Sequence, residues 1–304
     1  MTALTQHSSK HRIVQRNLYC TYCAAPLAQL KGGEQEHVIG RRFVPKGSLS
    51  GQWNLIVQSC PQCNDYKADL EDDISAITLQ PDAWGRFPNE DAQVRAEAIR
   101  KARTRNRRTQ RRVSEPTPPL VIKSNFGPAE FTFTLRSPAQ ADESRLLELA
   151  RLQLVAFFSM LTYNEEARRG GFWPGEYAPV IAVRRADWGN PRIQWINQIS
   201  ADWDYRLHAI GANEFYKIWI RRREDGPAVW AWAIEWNKNF RLAGFFGDTG
   251  ALQQLFGDMP DLPMTSVADG PDCGLSFRTE IALEPCDDSL FATPQMQQPP
   301  IKLS

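Results

Sequence analysis

"WNLIVQSCPQCNDYK", residues 53–67, runs a strand-sized apolar segment into a Cys-x-x-Cys pair and then into a helix start. Pro61 suits a first helical position, where a missing N–H costs nothing, so the helix begins between Pro61 and Asn64. Upstream, "CTYC" at 20–23 supplies a second pair. Cys20, Cys23, Cys60 and Cys63 are four soft thiolates, the set that closes a tetrahedral structural Zn2+ site. Four thiols without metal are the weaker reading, since a cytosolic chain has little other reason to pair Cys-x-x-Cys units, and a redox pair is weaker still, since no thioredoxin-like βαβ pattern surrounds either pair. Between the pairs, "EHVI", "RFV" and "WNLIV" are strand-sized, with "PKGSLSG" (45–51) as a loop, so the unit has ββα order.

Glu36, His37 and Asn54 lie between the cysteine pairs, and Asn64 directly follows the second. "YCTYCAAPL", "EHVIGR" and "WNLIVQSCPQCNDYK", in that order, resemble the Cys-paired HNH endonucleases over residues 18–72. The resemblance implies a ββα-metal fold in which His37 is the general base, Asn54 orients its ring, and Glu36 and Asn64 hold a catalytic Mg2+ or Mn2+. A neutral imidazole suits a base at physiological pH. Glu at position 36 stands where the family more commonly has Asp, one methylene shorter. Neighbours on a regular strand face opposite ways, so Glu36 and His37 share a site only if the strand bends or ends there, which Gly40 would allow.

Charge is unevenly spread. The net charge is +1, yet residues 1–120 carry 18 Lys/Arg against 12 Asp/Glu while the rest carries 18 against 23, so a polyanion would meet the N-terminal part first. Residues 100–112, "RKARTRNRRTQRR", hold eight Lys/Arg and no acid, the makings of a salt-dependent phosphate contact through Arg103, Arg107, Arg108 and Arg111. Arg41, Arg42 and Lys67 are further phosphate candidates, with solvated surface charge as the bland alternative. Asn89, the acids after it and the bases at the far end mark 89–112 as one long exposed helix. "VSEPTPPL", 113–120, ends it as a Pro-rich linker.

Residues 121–287 read as a separate α+β domain. "EFTFTLR" alternates like a strand, 142–164 reads as a helix, and Trp230, Trp232, Ile234 and Trp236 recur every second residue in a meander with one apolar face. Those Trp residues are read as core rather than as a base-stacking platform. Residues 1–17 read as a flexible arm, 18–88 as the nuclease unit and 288–304 as a disordered tail. The most apolar run, 152–161, has half the length of a membrane span, and the N-terminus has no secretory h-region, which points to the cytoplasm.

The fold class expected is therefore α+β, and the function expected is a metal-dependent endonuclease acting on DNA. By family analogy it serves phage defence or restriction, with the C-terminal part taking a sensor partner or activating ligand. Cutting both strands with one site per chain favours a homodimer or two successive nicks. The rival is a non-catalytic, zinc-stabilised DNA-binding protein; an RNA substrate is a third reading.

Overall fold

The computed structural model describes residues 12–30, 32–81, 87, 92–105, 110–113, 115, 120–126, 129–135, 142–270 and 273–292. Its architecture is mixed α+β with mainly antiparallel sheets. The N-terminal unit is a three-stranded sheet of β1 (Ile13–Val14), β2 (Glu34–His37) and β3 (Leu55–Ser59) in the order β1-β3-β2. Two helices, α1 (Pro61–Thr78) and α2 (Ala92–Ala102), follow. Pro61 opens α1 and Cys60 caps it.

β3 is apolar and central, so both its edges need hydrogen-bonding partners. β2 takes one edge antiparallel, from Glu34↔Ser59 to His37↔Ile56. The other edge is taken by β1 in parallel, with Ile13 opposite Leu55. The expected arm of 1–17 is thus ordered from Arg12 onward, while residues 1–11 lie outside the described residues. "RFV" is a turn rather than a strand, with Phe43 and Val44 buried.

The long basic helix is also corrected. α2 stops at Ala102, and the chain folds back so that Val113 N–H donates to Thr104 O at 3.0 Å and Arg105 bridges Arg112. A continuous helix would set Arg103, Arg107 and Arg111 one turn apart as like charges, each pair costing about 0.2–0.5 kcal/mol. Folding back instead buries Val113 against Ala76 and Ile77. Arg107, Arg108 and most of the Pro-rich segment lie outside the described residues.

After a hairpin of β4 (Leu120–Phe126) and β5 (Ala129–Leu135) come α3 (Glu143–Leu161), β6 (Glu176–Arg184) and α4 (Pro191–Ile199). The meander β7 (Asp204–Gly211), β8 (Tyr216–Arg222), β9 (Val229–Trp236) and β10 (Phe240–Gly247) follows. Then come α5 (Thr249–Phe256) and a second hairpin, β11 (Met264–Gly270) with β12 (Cys273–Arg278). α3 is capped by Asp142, whose carboxylate accepts from Ser144 N–H at 3.0 Å.

The large sheet runs β6-β10-β9-β8-β7. Its central strands β9 and β10 are buried along their whole length, so the sheet has two apolar faces rather than the one expected. Trp230, Trp232, Ile234 and Trp236 pack with α3, whereas the small Val229, Ala231 and Ala233 face α4 and α5. The expected tail contributes to this second face: Leu290 and Phe291 are buried, and Arg241 binds the Asp288 carboxylate. Residues 293–304 lie outside the described residues.

One apolar core joins the N-terminal unit to the large sheet, which corrects the expected separate domain. Phe43 meets Trp236 edge to face at 5.4 Å, and Trp53 meets Phe157 at 6.2 Å. Polar contacts seal the joint. Asn237 Nδ2 donates to Phe43 O at 3.2 Å and Thr78 Oγ1 at 2.7 Å, and Trp53 Nε1 donates to Ile210 O at 2.9 Å. Among the described residues no helix is long and apolar enough to cross a membrane.

Candidate functional site

The turn at 20–23 and the start of α1 bring the four thiols together. Ala24 N–H donates to Cys20 O at 2.9 Å, and Asn64 N–H to Cys60 O at 3.0 Å, so each pair is wrapped on a tight backbone turn. All four Sγ atoms lie within 4.8 Å of one another, and Cys23 and Cys60 sulfurs are 3.9 Å apart. Zn–S bonds of about 2.3 Å require tetrahedral edges of about 3.8 Å, so the donor set fits a metal such as Zn2+. Burial and the neighbouring sulfurs push the Cys63 thiol up, so collective ionisation here calls for a cation.

Glu36 does not join His37. It lies on the face of β2 that meets α1, 5% exposed. Its Oε1 receives Lys67 Nζ at 2.7 Å and its Oε2 the Tyr22 hydroxyl. Lys67 also donates to Glu71 Oε1 at 2.5 Å and His37 O at 3.2 Å. Burial alone would lower the Lys67 pKa, but Glu36 and Glu71 together raise it above the ordinary lysine value. Burial pushes Glu71 up to about 7 despite Lys67, and burial with Glu36 holds the Tyr22 phenol well above its ordinary value.

Asn64 is likewise turned to another partner, donating to Glu34 Oε2 at 2.7 Å. Glu36 and Asn64 therefore do not fit the divalent ion that the resemblance implies. Strand alternation explains it: Glu34 and Glu36 share one face of β2, and His37 takes the other. Lys67 is buried inside this network and is not placed to touch a phosphate.

His37 and Asn54 do come together. Asn54 Nδ2 lies 3.4 Å from His37 Nδ1 and donates to Ile39 O at 2.8 Å, while Asn54 Oδ1 accepts from Ile39 N–H at 3.2 Å. These two backbone bonds stand in for a ladder partner where β2 ends. One residue on, Gly40 N–H donates to Glu71 Oε1 at 3.1 Å, and a Cβ there would fall 2.1 Å from the same carboxylate. The backbone from His37 to Gly40 is thus clamped by Lys67, Asn54 and Glu71. Burial first, and then the charge of Arg41, push the His37 imidazole below its ordinary value, so it is neutral at pH 7.

Arg41 and Arg42 are exposed on the turn beyond Gly40. Arg103 and Arg111 are exposed on either side of the fold-back after α2. His208 is structural, with Nε2 3.3 Å from Phe291 O. Tyr22, Glu71 and Lys101 were missed from sequence. Only Glu71 had a signal, as the i+4 acid to Lys67 on α1.

Comparison with protein-family models, curated proteins and solved structures returned no match.

Proposed function

We propose that the chain binds nucleic acid through its N-terminal unit and hydrolyses a phosphodiester bond with His37 as general base. The observation that carries this reading is the imidazole itself: oriented by Asn54 and half-buried at the end of a clamped strand, where burial and Arg41 lower its pKa. His37 removes a proton from a water. The resulting hydroxide attacks phosphorus, the bond to the leaving oxygen breaks, and that oxygen takes a proton from solvent. Arg41, close enough to lower the His37 pKa, supplies positive charge for the phosphorane. The four cysteines would hold Zn2+ as a structural staple outside the reaction. DNA is the substrate put forward, and the role of a cytoplasmic defence effector rests on family analogy.

The buried Glu36–Lys67 pair favours a second reading, a zinc-stabilised nucleic-acid-binding protein without chemistry. Incubating supercoiled plasmid with the protein and with His37→Ala, in Mg2+, Mn2+ or EDTA, separates the two. Nicking or linearisation lost in the variant supports hydrolysis. Retarded but intact plasmid with both proteins supports the second reading, and labelled RNA run in parallel decides the substrate.

A further inference from the structure

Between α1, α2 and the turn at 41–46 lies an open cleft of about 460 Å³. Six cations line it, Arg41, Arg42, Lys46, Arg100, Lys101 and Arg105, against three carboxylates. None of those carboxylates is free. Asp73 receives Arg145, from outside the cleft, at 2.7 Å, and Glu97 receives the Lys46 backbone N–H at 2.8 Å. The Arg41, Arg42 and Lys46 side chains are exposed and make no ion pair with a described residue. The Arg100 side chain is 67% exposed and, among the described residues, pairs with Glu97 at 3.5 Å.

The cleft has a fixed wall. Lys101, 6% exposed, donates to Arg42 O at 2.8 Å and Ser75 Oγ at 3.2 Å, pinning the turn onto α1. The turn therefore cannot swing away to relieve the repulsion among its cations. A concave surface that holds like charges together is relieved by an anion with several negative groups. Arg41 belongs both to this cleft and to the surroundings of His37.

We propose that this cleft binds the phosphodiester backbone of a nucleic-acid strand and leads it to His37, an assignment that rests on the nucleic-acid reading above. Lys46 and Arg100 contact phosphates away from the scissile bond, and Arg41 contacts the one nearest His37.

The test is fluorescence anisotropy of a labelled 20-nucleotide strand and a 20-base-pair duplex, titrated over a range of salt with wild type, Lys46→Glu/Arg100→Glu and His37→Ala. Each phosphate contact contributes about 0.7 (single strand) to 0.9 (duplex) to the slope of log K against log salt. Losing two contacts should lower the slope by about 1.4–1.8 and weaken binding at low salt at least tenfold. His37→Ala should bind as wild type. Both substituted side chains are exposed, and an unchanged melting temperature would confirm that the double variant folds.

Equal affinity and slope in the double variant would overturn the cleft. So would an absence of oligonucleotide binding by wild type, or saturable binding of ATP or tripolyphosphate alone. The plasmid assay keeps the two readings apart. Cutting with no effect of the double variant on binding sinks the cleft and leaves hydrolysis standing; binding that depends on the cleft without cutting does the reverse.

Discussion

The N-terminal unit has strands of two, four and five residues, whereas the large sheet has strands of seven to nine. The sheet stabilises itself by area: Trp219, Trp232 and Trp236 are all fully buried, and helices cover both faces. The small unit has less area to bury; on one side it gathers four thiols that could hold a metal such as zinc, and on the other the Glu36–Lys67–Glu71 cluster ties β2 to α1. Directional contacts of this kind fix atoms as well as holding them together. Those that hold the small unit also fix the backbone of His37.

The largest effect should come from the thiols, since structural zinc in small domains is worth about 10–16 kcal/mol. Wild type should carry one zinc per chain by elemental analysis and Cys60→Ser none, with nucleic-acid binding lost and the near-UV signal of the Trp-rich sheet largely kept. Loss of that signal as well would mean that the two regions stand or fall together.

Lys67→Met should cost about 3–5 kcal/mol in urea denaturation, because it leaves two buried carboxylates without their cation. Neutralising all three groups, with Glu36→Gln and Glu71→Gln added, should recover much of the loss. Trp232→Ala should cost a similar amount, about 3–5 kcal/mol, through the cavity it opens, but should leave zinc content unchanged.

A smaller effect is pH-dependent. The folded-state pKa of Glu71, raised to about 7, lies above the ordinary glutamate value of about 4.3, so the folded state binds this proton more tightly. Its contribution to stability is full below pH about 4.3, falls as pH rises to about 7 and is level beyond. The wild-type urea midpoint should therefore drop between pH 5.5 and 7.5 relative to Glu71→Gln, and parallel profiles would refute the assignment. The smallest change in stability belongs to His37→Ala, within about 0.5 kcal/mol for a half-exposed ring. If hydrolysis is the function, the same variant abolishes cutting.

Much of the small unit was legible because its signals are local. The Cys pairs, the Pro61 helix start and the His37–Asn54 pairing all follow from short motifs, the last through a resemblance. Glu36 was misread because its partners, Tyr22 and Lys67, come from other elements, and alternation along the strand outweighed adjacency. Ile13–Val14 is too short to show a period. In the large sheet the Trp spacing was right, but the alanines between them read as a neutral face until a second layer of helices claimed them.

The contact between Phe43 and the end of β9 also bears on how the protein is made. Asn237, which binds the Phe43 carbonyl, lies 194 residues further along the chain. At about 5–20 residues per second, ribosomal synthesis delivers it roughly 10–40 s after Phe43. Until then the Phe43 ring lacks its partner Trp236. The four thiols are complete by residue 63, so metal capture is open to the nascent chain long before the sheet arrives to cover it.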